Sequence, residues 1–193
     1  LPDPKPAARR EGGHLRDILL RPRVFRGLLH LRSIYPEETT ATGFHNGTGY
    51  SAEKDSAELR MDLAAWRLVE TEEERKPIPV RLTEAGRRVA DLAAEIEALV
   101  PGITEEPRAL LALVVVLTNE PAVTNSAALR SALELGYGPA GKLRARIVAL
   151  DLVTVEQGLE NRVPYVRIRL TALGRKVATL ALRIQQEANQ ARR

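Results

Sequence analysis

Between residues 137 and 169 lies the chain's best set of side chains for gripping a polyanion. Lys142 and Arg146 stand at i and i+4, the spacing that puts two side chains on one helix face. Arg144 lies to one side and Tyr137 stands at the turn before them. Gln157, Asn161 and Arg162 follow, and then Arg167 and Arg169 flank Ile168, so the two arginines share one face of a strand. Ammonium and guanidinium groups neutralise phosphates, and the paired donors of Arg and the donor–acceptor amides of Gln and Asn read base edges.

Catalytic groups form no comparable set. His14, His30 and His45 have neither cysteine partners nor close carboxylate spacing for a metal. Gly43, Gly47 and Gly49 lack the strand–loop–helix setting and the Lys-Ser/Thr ending of a phosphate loop. No Ser, His and Asp combination has a recognisable setting, and Glu72–Glu74 read as a solvated turn. The expectation is a protein that is not an enzyme and needs no cofactor or metal. Cysteine is absent, so disulfides and thiolate ligands are ruled out. The longest apolar run, Ala109–Leu117, is too short to span a bilayer. No membrane partner is expected, and a cytoplasmic, nucleoid-associated location fits.

Net charge is +4 but unevenly spread: residues 1–35 carry +5, residues 36–101 carry −6 and residues 102–193 carry +5. A polyanion would therefore meet the ends of the chain rather than its middle.

The elements that must position these groups occur twice. Arg81-Leu-Thr-Glu-Ala-Gly-Arg-Arg-Val-Ala-Asp-Leu-Ala93 returns as Arg169-Leu-Thr-Ala-Leu-Gly-Arg-Lys-Val-Ala-Thr-Leu-Ala181, with nine of thirteen positions identical. Such a repeat marks a duplicated small domain. Residues 1–13 read as a flexible basic arm, with Arg9 and Arg10. Residues 14–100 form a first domain, 101–107 a linker and 108–193 a second domain. Apolar spacing in the first domain predicts a helix on Val24, Leu28, Leu31 and Tyr35, and at most a short helix around Thr39–His45. A helix on Leu59, Leu63 and Trp66, capped by Ser51, comes next. Ile78–Leu82, bounded by Pro77 and Pro79, reads as a short edge strand. Thr83 then caps a helix to about Val100. The second domain repeats this order. Its helices begin at Arg108, after Thr124 or Asn125, and at the turn Gly136–Gly138. Its strands are Val153–Gln157 and Val163–Leu170, and its last helix follows Thr171. The fold class expected is mainly α with small two-stranded wings (α+β). Gly86 and Gly174 sit in the first turn of the last helices, where Gly costs roughly 1 kcal/mol relative to Ala. Its presence in both copies predicts close approach of another backbone.

Helix, helix, turn, helix and a two-stranded flap is the layout of a winged helix-turn-helix. The runs Trp66-Arg-Leu-Val-Glu…Val80-Arg-Leu-Thr-Glu-Ala-Gly-Arg and Leu150-Asp-Leu-Val…Val166-Arg-Ile-Arg-Leu-Thr-Ala-Leu-Gly-Arg resemble the end of the recognition helix, the wing and the following helix of MarR- and PadR-type regulators. The resemblance covers about 80 residues of each half and implies two winged helix-turn-helix domains in tandem. It implies double-stranded DNA as partner, with the second helix of each motif in the major groove. On that reading Tyr137, Lys142, Arg144, Arg146, Gln157, Asn161, Arg162, Arg167 and Arg169 contact DNA.

The first copy differs where it matters. The counterparts of Lys142 and Arg146 are Glu58 and Asp62, and the wing Glu70–Lys76 is mostly acidic. Carboxylates oppose binding beside phosphates. Only Lys54 and Arg60 are basic nearby, and the arm with Arg9 and Arg10, helped by Arg16, Arg21, Arg23 and Arg26, would have to supply further contact. The acidic first domain is also a candidate surface for a protein partner. The long last helices suggest a homodimer. The leading expectation is a DNA-binding transcriptional regulator. The alternatives are a scaffold resembling the kleisin-interacting tandem winged-helix subunits of chromosome-organising complexes, and a replication or plasmid-partition initiator.

Overall fold

The computed structural model describes residues 17–21, 23–120, 124–160 and 163–193. The residues read as a basic arm, including Arg9 and Arg10, lie outside them, as do Asn161 and Arg162. The fold is mainly α-helical with two small three-stranded antiparallel sheets. A short helix, α1 (Asp17–Leu20), precedes two copies of one element order. The first is α2 (Val24–Ile34), β1 (Thr39–Thr40), α3 (Ala41–Thr48), α4 (Glu53–Ala65), β2 (Val69–Thr71), β3 (Pro79–Leu82) and α5 (Glu84–Leu99). The second is α6 (Pro107–Asn119), β4 (Thr124–Asn125), α7 (Ser126–Ala132), α8 (Tyr137–Ala149), β5 (Val153–Glu160), β6 (Val163–Leu170) and α9 (Ala172–Arg192). A 3₁₀ turn at Ile103–Glu105 lies between them.

Both sheets follow one order, β1-β3-β2 and β4-β6-β5. Each therefore has a third strand beyond the two-stranded wing expected from sequence. Thr39 pairs with Val80 and Thr124 with Ile168. Consequently β3 is the central strand of its sheet and not the edge. Pro79 is tolerated there because it occupies the first position of the strand, and the Ala41 N–H closes the corner on the Ile78 carbonyl at 2.8 Å. In the second copy β5 runs on through Gly158 to Glu160, so the hairpin is longer than predicted.

Helix starts follow cap chemistry. Thr40, Thr83, Asn125 and Thr171 each accept a bond from the backbone N–H three residues on. Ser51 does not cap α4. Ala52 holds the N-cap position, with no side-chain bond. Of the helix faces read from sequence, Val24, Leu28, Leu31, Leu59 and Leu63 are each at most 2% exposed, while Trp66, just past the end of α4, is only partly buried. Tyr35 lies past the end of α2 and is 43% exposed.

The identical stretch builds a clamp, present in both copies. Helix α4 ends with Arg67 in the left-handed region (φ 56°), and the Leu68 N–H reaches back to the Leu63 carbonyl at 2.9 Å. The Leu68 carbonyl then accepts the Thr83 N–H at 3.1 Å, and the Thr83 hydroxyl donates to the Arg67 carbonyl at 2.8 Å. Asp151 (φ 55°), Leu152 and Thr171 repeat these bonds at the end of α8, at 3.0, 3.1 and 2.6 Å. Any Cβ at Gly86 would collide with the Leu68 carbonyl oxygen, and any at Gly174 with the Leu152 carbonyl oxygen. The close backbone approach expected of these glycines is present.

The last helices, read from sequence as dimer elements, pack against each other within one chain. Arg88 Nε lies 2.8 Å from Glu187 Oε2, and Lys176 Nζ 3.6 Å from Glu95 Oε1, across that contact.

Two glycine substitutions separate clamp from propensity. Gly174→Ala should lower stability by about 2–4 kcal/mol despite its better helix propensity, because the carbonyl cannot move without breaking its bond to Thr171. Gly141→Ala, where a Cβ meets nothing within 4 Å, should raise it by about 0.5–1 kcal/mol. Urea unfolding midpoints of the two variants check the contrast.

Candidate nucleic-acid interface

Helix α8 and the β5–β6 hairpin bring the second-copy basic residues to one end of the repeat. Lys142 is exposed on α8 and Arg169 is exposed on β6, and among the described residues neither enters an ion pair. Arg167 and Arg169 lie opposite Glu156 and Thr154, so they share one sheet face, as their alternation with buried Ile168 required. The Arg167 guanidinium stacks 4.3 Å from the Tyr165 ring centroid and lies 4.0 Å from Glu156, which accepts the Tyr165 hydroxyl at 2.8 Å. Gln157 is exposed but pairs with Val166, so it lies on the opposite face from the arginines.

The rest of the predicted set is more constrained. Arg146 is turned away to Glu106, just before α6, with Nε and Nη2 at 2.7 and 2.6 Å from one carboxylate oxygen. That bond holds the guanidinium even more firmly protonated than usual. Arg144 donates from Nη1 to Ser126 Oγ at 2.8 Å. Tyr137 is 81% exposed, with the Arg130 guanidinium 3.9 Å from its ring centroid. Arg130 was not a sequence candidate. It comes from α7, and no spacing within α8 or the wing signals it.

The equivalent residues in the first copy are answered by carboxylates. The copies align at an offset of 84 through α4 and α8, and 88 through β3 and β6. Arg60, the equivalent of Arg144, is 7% exposed and bonds Glu73 through Nε and Nη2 at 3.0 and 2.9 Å. Glu73 becomes Gln157 in the second copy. Arg81, the equivalent of Arg169, bonds Glu70 from Nε at 2.6 Å, and Glu70 becomes Thr154. Glu58 and Asp62 stand where Lys142 and Arg146 do, and Arg21 lies 4.0 and 2.6 Å from them. Thus Arg21, expected to help the first copy reach a polyanion, lies against that copy's own acidic helix. Lys54 is exposed, 3.9 Å from Glu58. Arg23 donates to the Gly49 carbonyl and stacks on Tyr50.

His45 Nδ1 lies 3.0 Å from Ser56 Oγ, and the His30 ring packs over Gly47, which leaves no room for a Cβ. Among the described residues no group of three or more His, Asp or Glu side chains is placed to hold a metal ion. Among them, too, no helix is long and apolar enough to cross a membrane. Comparison with family models, curated proteins and solved structures finds no match for this chain.

The two carboxylates of the first wing should differ in weight. Glu73→Gln leaves the nearly buried Arg60 without its counter-charge and should cost about 1–3 kcal/mol, less than a fully buried pair because Glu73 is itself partly exposed. Glu70→Gln, in a pair 55% exposed on both sides, should change stability by less than about 0.5 kcal/mol. Urea denaturation of both variants at neutral pH measures the difference.

Proposed function

We propose that this chain is a DNA-binding regulator made of two winged helix-turn-helix units in tandem, with the second unit as reader. Helix α8 enters the major groove and the long β5–β6 hairpin follows the adjacent backbone. The observation that carries this reading is the removal of carboxylates from the second copy. Lys142 replaces Glu58, Thr154 replaces Glu70 and Gln157 replaces Glu73, and among the described residues Lys142 and Arg169 have no counter-ion. Phosphates supply what the first copy supplies from its own chain. Arg167 contributes from the same strand face. Arg144 and Arg146 act in positioning, through Ser126 and Glu106, rather than as free phosphate contacts. The pairing of α5 with α9 already brings two units together in one chain, so a homodimer would need a further surface. Reading double-stranded DNA places the protein with the nucleoid, without enzymatic chemistry or cofactor.

A second reading, a scaffold that holds a protein partner on its first copy, is favoured by one observation. The α4 surface carries Met61, 50% exposed, among carboxylates. Absence of duplex binding at physiological salt would favour it.

Fluorescence anisotropy against duplex DNA over a salt series tests the first reading. Lys142→Glu with Arg169→Glu should weaken binding by at least about tenfold and flatten the log–log salt slope by about 2. Lys54→Glu in the first copy should change affinity less than about twofold. Unchanged affinity and slope in the double variant would remove the site.

A further inference from the structure

We propose that each chain meets DNA alone, as a dimer-like unit closed on itself, and that its target is one asymmetric duplex segment rather than an inverted repeat. The target rests on the function proposed above, whereas the closure does not. The closure lies in how α5 meets α9. Arg88, near the start of α5, pairs with Glu187 near the end of α9, and Glu95, further along α5, pairs with Lys176 near the start of α9. The two helices are therefore antiparallel. The two pairs bracket Leu92-Ala93 on α5 and Leu180-Ala181 on α9, which are the same two positions of the repeat. A patch that meets its own counterpart in this sense makes an isologous contact, the arrangement of a two-fold dimer.

The elements leading into each copy obey the same approximate two-fold. α1, ahead of the first copy, lies against α6 and α9, the first and last helices of the second. The 3₁₀ turn Ile103–Glu105, ahead of the second copy, lies against α2 and α5, the first and last helices of the first. Leu19 and Ile103, one in each lead-in, are fully buried. Burial on the long helices matches as well: Val89, Ala90, Ala93 and Ile96 are fully buried, and so are their counterparts Val177, Ala178, Ala181 and Ile184. The patch through which two such copies would join is thus used up inside one chain, and the short linker keeps the copies at high effective concentration.

A two-fold dimer of identical readers takes a palindromic site. Here the scaffold is two-fold and the readers are not. Lys142 is exposed where Glu58 is, and Arg169 lacks the carboxylate that Glu70 gives Arg81. One side of the approximate axis attracts phosphates and the other opposes them. The sequence read in the target therefore lies on one side, and no second chain is needed to read it.

Sedimentation equilibrium of the full chain should return the mass of one chain. Its urea midpoint should stay fixed over about a hundredfold dilution, where that of an obligate dimer falls. The chain has no cysteine, so Arg88→Cys with Glu187→Cys can be joined specifically by a short bismaleimide, and the product should keep the mass of one chain. Duplexes enriched from a random pool should share one non-palindromic motif, and anisotropy titration far above the dissociation constant should break at one chain per duplex. A dimer mass, a crosslinked product of twice the chain mass, or inverted repeats bound by two chains overturns the inference and leaves the DNA reading standing. A monomer that enriches no duplex loses the DNA reading, and the target proposed here with it.

Discussion

One backbone carbonyl in each copy ties the fold together. Leu68 and Leu152 leave a helix through a left-handed residue, and their carbonyls accept the N–H of Thr83 and Thr171. The threonine hydroxyl bonds the preceding carbonyl while its oxygen caps the next helix. A glycine three residues on lets that helix lie directly on the carbonyl. The end of α8, the start of β5, the end of β6 and the start of α9 therefore meet at one point. The angle between α8 and its hairpin is set there, and with it the surface that carries Lys142 and Arg169. α9 leaves the clamp and packs on α5, which leaves its own clamp in the same way.

On this shared scaffold the two copies have opposite electrostatic economies. The first closes its cations internally: Arg60 on Glu73, Arg81 on Glu70, and Arg21 on Asp62. The surface pairs Arg81–Glu70 and Arg21–Asp62 contribute little to stability, so their main effect is to remove the cations from any outside anion, whereas the nearly buried Arg60–Glu73 pair also holds the fold. In the second copy the same strand and helix positions carry Arg144 and Arg169 without the acidic partners. Net charge differs by sign between the segments, but the sharper difference is positional, residue against residue. The proposed DNA surface follows from it.

Much of this was legible in sequence because it is local. Caps at Thr83 and Thr171, buried helix stripes, and the glycine approach all follow from spacing and from what a Cβ excludes. The two-residue strands β1 and β4 were not legible, since Thr39–Thr40 read as the start of a short helix and Thr124–Asn125 as a helix cap, and Thr40 and Asn125 do cap helices. Pro79 suggested an edge strand because its position at the strand start depends on a partner forty residues away. Side-chain fates across long separations were least visible. Arg146 reaches Glu106, Arg21 reaches Asp62, and α5 meets α9; nothing in i, i+4 spacing encodes such contacts. Lys142, Arg144 and Arg146 all lie on α8, but which of them pairs within the chain depends on the fold.

The central claim is that the second copy, and not the first, is the surface that meets DNA. Hydrogen–deuterium exchange on the full chain, with and without a duplex enriched from a random pool, tests it most directly. Exchange should slow in α7, α8 and the β5–β6 hairpin, with α3, α4 and the β2–β3 hairpin unchanged. Protection centred on α4 and its wing, or no protection anywhere with an enriched duplex, would contradict it.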